Sequence, residues 1–326
     1  MNVTVLGAGA WGTAIARLLA TSGSRVKLWD FFPETLATVR ATGRNERYLP
    51  GIELPATLLI EPDFASAVAD AEVVVVAIVS KAFRSVTSQL GSYGGIVVSV
   101  TKGIEFESGL SMSGVLAETA PQARVVALSG PTLAMEVARG VPTAIVAASQ
   151  DFTAAQQVQA LFHRPAFRVY TSPDLLGVEL GGALKNVIAI AAGACDGLGF
   201  GDNTKATLVT RALSEMRRLG VACGAQPETF AGLSGLGDLM VTCFSRLSRN
   251  RGCGERVGRG EKVPDILASM VAVAEGYPTA RAAHQLAIRH QVATPIIEEV
   301  YAALYEGKPP AASLRDLMAR SSKPED

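Results

Sequence analysis

At 326 residues the chain is long enough for about two domains. Hydrophobic residues make up 48% of it and charged residues 18%, which excludes a disordered chain and supplies apolar surface for sizeable cores. Its 30 basic and 30 acidic residues cancel, so no overall charge draws the chain to nucleic acid or to an anionic membrane.

No run approaches the ~18 consecutive apolar residues that span a bilayer. The opening MNVTVLGAGAWG lacks the basic lead of a signal peptide. Cys195, Cys223, Cys243 and Cys253 form no CxxC pair, and His163, His284 and His290 complete no metal set, so no metal site is expected. A reduced cytoplasmic protein is the simplest reading.

In chain order, NVTVLG is expected to be a strand, TAIARLLATSG a helix and RVKLWD a second strand. Further strands are expected at EVVVVAIV, GIVVSVTKG, ARVVALSGP and PTAIVAAS. These runs are apolar throughout, the pattern of strands covered on both faces, and their alternation with helical segments favours a parallel sheet. After residue 180 apolar residues recur at helical spacing, in VELGGALKNVIAIAAG, KATLVTRALSEMRRLG, DILASMVAVAEG, ARAAHQLAIRH and PIIEEVYAALYEG. The expected architecture is a doubly wound α/β domain over residues 1–179, followed by an all-helical domain over 180–326.

Gly7, Gly9 and Gly12 form GxGxxG between the first strand and the first helix. In a Rossmann-like fold the first glycine permits the tight turn and the second lets a pyrophosphate approach the backbone. The third lets helix and strand pack closely, with the helix N-terminus facing the phosphates. Asp30 ends the second strand, where an acid binds the adenosine ribose. A carboxylate there favours the 2′-OH of NAD and repels the 2′-phosphate of NADP, and Phe31 and Phe32 offer no cation in its place. The alternative is a helix N-cap in WDFFPE.

Lys185 and Asn186 lead into an apolar run, VIAIAAG, where an ammonium loses hydration unless compensated. Snorkelling to solvent would account for the lysine alone. Three other features point elsewhere. Lys102, in VVSVTKGIE, lies just past a strand end, where open parallel sheets bind ligands. Asp238 and Thr242 are four apart and share a face if their segment is helical. Arg246, Arg249, Arg251, Arg256 and Arg259 follow against Glu255, a local excess whose geometry suits phosphate. Gly130 and Pro131 end another strand at the same edge. Together these describe a cleft between two domains, a dinucleotide on one side and a small phosphorylated substrate on the other. Desolvation and nearby cations there favour a neutral amine able to transfer a proton.

At GAGAWGTAIA, RNERYLPG, VSVTKGIE, SGPTLAMEVARGVPTA, GGALKNVIAIAAG, GLGDLMVTC, SRNRGCG and AEGYPTA the chain resembles the bacterial NAD(P)-dependent sn-glycerol-3-phosphate dehydrogenases. The resemblance implies interconversion of glycerol 3-phosphate and dihydroxyacetone phosphate, with Lys185 as general acid/base. Asn186 would stand beside it, and Asp238 and Thr242 would order the polar network around it. Lys102 would contact substrate and cofactor, and Gly130 and Thr132 would contact substrate. Ser248, Arg249 and Asn250 would line the phosphate pocket, Arg249 also reaching the cofactor. Ala10, Trp11, Ala134, Val273 and Glu275 would lie along the cofactor with the glycine loop, and Phe31 with Asp30 at its adenosine end. Many bacterial members carry a basic residue after the second strand; Phe31 and Phe32 stand here, which leans the cofactor toward NAD(H) over NADP(H). Leu133 replaces a commonly aromatic residue. A homodimer supplying glycerol 3-phosphate for phospholipid synthesis is the family-level expectation. Competing readings are a β-hydroxyacid dehydrogenase, disfavoured by the arginine cluster, and a non-catalytic NAD sensor, which would need no proton-transfer group.

Overall fold

In the computed structural model, which describes residues 1–322 and 324, the apolar runs of the first half form strands. They are β1 (Asn2–Leu6), β2 (Arg25–Trp29), β3 (Leu59–Ile60), β4 (Val73–Val76), β5 (Ile96–Ser99), β6 (Arg124–Ser129), β7 (Thr143–Ala148) and β8 (Phe167–Ser172). They pair in the order β3-β2-β1-β4-β5-β6-β7-β8, so the chain changes direction across the sheet between β1 and β4. In open α/β sheets ligands bind at such a switch point, outside the carboxyl ends of the strands. Helices cover both faces, and every residue of β4 and β5 is buried, as continuous apolar runs require.

Two features depart from the sequence expectation. The β6–β7 step is antiparallel, Ser129 opposite Val146, so the sheet is not wholly parallel. The connection, with its five-residue helix Ala134–Ala138, stays at the edge where β6 ends. There Ala138 packs with Ala14 and Leu49 instead of leading the chain back across the sheet. The edge strands β3 and β8 carry no continuous apolar run. In β8 Phe167 and Val169 point inward while Arg168 and Tyr170 face solvent, the guanidinium lying over the tyrosine ring.

The second half is helical, built around the helix Leu175–Gly197. The division expected between residues 179 and 180 falls inside this helix. By length and hydropathy it could cross a bilayer, yet 83% of its apolar window is buried within the protein. Around it pack Asp202–Ala222, Asp238–Phe244, Arg249–Gly258, Gly276–Arg289 and Pro295–Tyr305. Helical spacing extended through DILASMVAVAEG, but the helix spans only Val263–Ser269. The β-branched Val271 and Val273 beyond it are 63% and 46% exposed, so no core face continues there.

The closest helix contact depends on glycine. Gly193 and Gly197 of the long helix face Gly254 and Gly258 of Arg249–Gly258. A Cβ on Gly254 would lie 1.9 Å from the carbonyl oxygen of Ile190, and one on Gly193 1.9 Å from that of Arg251. The two backbones touch, which brings Asn250 against Asn186 and sets Ser248 and Arg249 on the same cleft.

Candidate active site

The glycine loop sets one wall of a cleft at the carboxyl edge of the sheet. Gly7 has φ +111°, and a Cβ there would meet the Ala77 carbonyl oxygen at 2.6 Å. A Cβ on Gly12 would sit 1.9 Å from the Gly7 oxygen, so the helix Ala10–Thr21 packs tightly on the turn. A Cβ on Gly9 would meet nothing of the chain within 4 Å, which leaves that face of the loop to a ligand. The helix has no side-chain cap and no acid in its first turn, so its leading N–H groups stay available to an anion.

Asp30 turns back toward this loop. Its carboxylate accepts the Ala8 N–H and, at 2.9 Å, the Phe32 N–H. The helix that follows, Pro33–Thr42, has Phe32 as its N-cap without a side-chain hydrogen bond, so Asp30 does not cap it. Phe31 and Phe32 stand exposed beside it, their rings edge to face at 5.5 Å.

Across the cleft, the long helix presents Lys185. Its ammonium donates to Thr242 Oγ1 at 2.6 Å and pairs with Asp238 Oδ1 at 2.9 Å. The other oxygen of Asp238 takes Lys102 Nζ at 2.6 Å. Asp238 and Thr242 do share a helical face, and the Thr242 hydroxyl donates to the Asp238 carbonyl at 2.6 Å. Lys102 also donates to the Gly130 carbonyl at 2.8 Å and to Thr132 Oγ1 at 3.1 Å. One carboxylate, 1% exposed, thus holds two ammonium groups from opposite domains. Burial pushes Lys102 down to about 8; Asp238 opposes that shift and the neighbouring Lys185 adds to it.

A second chain of contacts runs from this centre to the helix Arg249–Gly258. The Asn186 amide donates to the Lys102 carbonyl at 3.1 Å and accepts from Asn250 Nδ2 at 2.8 Å. Asn250 Oδ1 in turn accepts the Gly276 N–H at 2.8 Å. Ser248 caps the helix, accepting the Arg251 N–H. Glu275 reaches across the domain junction to Ser80, accepting its N–H at 3.0 Å and its hydroxyl at 2.6 Å. Burial pushes the Glu275 carboxyl up, while Ser80 and the nearby Arg249 oppose the shift.

The cleft between these walls has a volume of about 520 Å³. That exceeds the lower end of the ordinary range for small-molecule sites, about 300 Å³. The glycine loop with its open face and uncapped helix N-terminus fits a dinucleotide. Lys102, Lys185, Asp238, Thr242 and Asn250 are set to meet a small polar substrate beyond it.

The chain matches the model of the NAD-dependent glycerol-3-phosphate dehydrogenase N-terminus over residues 2–155, and that of the C-terminus over residues 174–315. The chain belongs to the NAD-dependent glycerol-3-phosphate dehydrogenase family. It is 50% identical over 330 residues to a glycerol-3-phosphate dehydrogenase [NAD(P)+] of Geobacter metallireducens, covering 99% of this chain and 98% of that one. A relative of the same name from Moorella thermoacetica is 48% identical, over 98% of this chain and 96% of its own. The crystal structure of glycerol-3-phosphate dehydrogenase from Coxiella burnetii superposes with a TM-score of 0.95 at 35% identity, covering 98% and 99% of the two chains.

Within this glycerol-3-phosphate dehydrogenase architecture, Lys102, Thr132, Lys185, Asn186, Asp238, Thr242, Ser248, Arg249 and Asn250 all line one cleft, with Gly9, Ala10, Trp11, Ala134, Val273 and Glu275. Gly130 joins through its carbonyl, whereas Gly7 and Gly12 lie beneath the loop as packing positions. Asp30 and Phe31 stand outside the cleft lining. The arginine cluster does not act as a unit. Arg251 pairs with Asp196 at 2.6 Å, Arg256 with Glu261 at 2.6 Å and Arg259 with Glu255, while Arg246 points to solvent. Only Arg249 of the five lines the cleft. Sequence reasoning missed Ser80, whose signal is absent from VSKAFRS, and the cleft-lining Arg47 and Tyr48.

Proposed function

We propose that this chain interconverts sn-glycerol 3-phosphate and dihydroxyacetone phosphate with NAD(H) or NADP(H), Lys185 acting as general acid/base. The observation that carries this reading is the hydrogen-bonded quartet Lys102–Asp238–Lys185–Thr242 facing the glycine loop across one cleft. The nicotinamide cofactor supplies or accepts the hydride. In the reducing direction the Lys185 ammonium stands ready to donate a proton to the carbonyl oxygen as it gains charge; in the oxidising direction the neutral amine accepts the hydroxyl proton. Asp238 balances the charge of the two lysines, and Thr242 fixes the direction of the Lys185 amine. Lys102 and Thr132 hold the substrate oxygens from the sheet edge, and Asn186 links the Lys102 strand end to Asn250. Ser248, Arg249 and Asn250 take the phosphate, with the helix N-terminus adding its dipole.

On the cofactor side, Gly9, Ala10 and Trp11 meet the diphosphate. Ala134, Val273 and Glu275 flank the nicotinamide half, and Asp30 with Phe31 takes the adenosine end. A carboxylate at Asp30, with no cation following it, supports NAD(H) over NADP(H). The protein works in the cytoplasm as a homodimer, supplying glycerol 3-phosphate for phospholipid synthesis; the support for these points is the family. The test is oxidation of NADH or NADPH, followed at the nicotinamide absorbance, on adding dihydroxyacetone phosphate. Turnover is expected, and its absence with both cofactors from folded protein refutes the proposal.

A further inference from the structure

The segment RNERYLPG is held against the glycine loop by one buried side chain. Asn45, 2% exposed, donates through Nδ2 to the Ala8 carbonyl at 2.7 Å and to Thr13 Oγ1 at 2.8 Å. Leu49 anchors the far end of the turn, buried with Ala14 and Ala138. Between these anchors Arg47 and Tyr48 line the cleft beside Gly9 and Ala10, the guanidinium 5.2 Å from the Tyr48 ring centroid.

Four cations line the cleft: Arg47, Lys102, Lys185 and Arg249. Asp238 holds both lysines, and Arg249 faces Glu275. Arg47, among the described residues, pairs with no carboxylate. The acids nearest it in sequence are taken: Glu46 accepts the Gly51 N–H and pairs with Arg44, and Glu53 pairs with Arg44. An arginine fork left unpaired beside an uncapped helix N-terminus is arranged for an anion with several oxygens.

We propose that Arg47 is a further cofactor-binding residue, its guanidinium taking the diphosphate of the dinucleotide opposite the leading N–H groups of the helix Ala10–Thr21. The inference rests on the nucleotide reading of the glycine loop. Arg47 shares its wall with Gly9 and Ala10, while Asp30 and Phe31 lie outside the cleft lining. The group it meets is therefore the diphosphate common to NAD and NADP, not the 2′-phosphate that distinguishes them. Tyr48 stacks on the guanidinium and limits its directions, and Asn45 is a positioning residue that ties the turn to the loop it serves.

The test is calorimetric titration of ADP-ribose and of 2′-phospho-ADP-ribose into the wild type, Arg47→Ala and Arg47→Lys, with thermal midpoints as the folding control. A charge-assisted contact of this kind gives a loss of about tenfold to a hundredfold in Kd. Arg47→Ala is expected to weaken both ligands by that factor, leaving their ratio unchanged, and Arg47→Lys to recover part of it. Wild-type affinity for ADP-ribose in Arg47→Ala overturns the inference. So does a loss confined to 2′-phospho-ADP-ribose, which would place Arg47 at the 2′ position. A wild type that binds neither ligand refutes the glycine-loop reading itself, and the inference with it.

Discussion

Replacing Gly254 by alanine tests how the phosphate side of the site is built. The added Cβ would lie 1.9 Å from the Ile190 oxygen, 2.7 Å from its carbonyl carbon and 2.9 Å from its Cα. All three are backbone atoms of the long helix, so no side chain can turn aside. Relief to ordinary contact at 3.4 Å requires the helices to part by about 1.5 Å. Asn250 lies one turn away on the same helix, and its 2.8 Å bond to Asn186 would open to about 4 Å, past hydrogen-bond range. Misplacement by about 1 Å can cost about 10²-fold in rate, and overpacking about 1–3 kcal/mol in stability. The expected outcome is a kcat/KM for dihydroxyacetone phosphate about 10²-fold lower, a raised KM for that substrate and an unchanged Kd for NADH. Gly252→Ala is the control, since a Cβ there meets nothing within 4 Å. Steady-state kinetics with NADH binding by fluorescence would read both variants. A folded Gly254→Ala enzyme with kcat/KM within twofold of wild type refutes the reasoning.

Asp238→Asn removes the carboxylate shared by two lysines whose side chains are 14% and 9% exposed. Breaking a buried pair in this way costs about 3–5 kcal/mol, so a lower melting temperature and a large fall in kcat/KM are expected together. Because burial pushes Lys102 down to about 8, it carries its charge below that pH and loses it above. KM for dihydroxyacetone phosphate should then be flat at neutral pH and rise as pH climbs past about 8, and a pH profile of Lys102→Met should lack the rise. Ser80→Ala removes the 2.6 Å hydroxyl bond to Glu275 and keeps the backbone N–H bond, and NADH titration should show weaker binding, with Ser80→Thr recovering part of it. For cofactor choice, kcat/KM should favour NADH over NADPH, and Asp30→Ala should narrow that ratio.

What the sequence revealed follows from how local each signal is. GxGxxG carries its own geometry, because Gly7 needs a positive φ and Gly12 answers a clash with the Gly7 oxygen within one turn. Lys185 stood out because an ammonium beside VIAIAAG needs compensation, and Asp238 and Thr242 stood out because four residues make one helical turn. Pairing Lys102 and Lys185 through one carboxylate was not legible, since it needs a sheet edge and two helices at once. The arginine run misled for a physical reason: composition counts charges but not partners, and three of its five members knit the helical domain. Arg47 gave no signal because its meaning comes from Asn45 docking a turn onto the glycine loop. The edge strand β8 went unseen because only one of its faces is buried; β7 was expected at PTAIVAAS, but not its antiparallel pairing, because strand direction leaves no mark in an apolar run.

The central claim is that the Lys185 amine moves the proton. The direct measurement is single-turnover reduction of dihydroxyacetone phosphate by bound NADH in Lys185→Ala, with circular dichroism and NADH affinity verifying fold and cofactor site. General acid catalysis contributes about 10²–10⁴-fold, so the rate is expected to fall by that factor with NADH affinity unchanged. A folded Lys185→Ala enzyme that reduces its substrate within a few-fold of the wild-type rate would contradict the account.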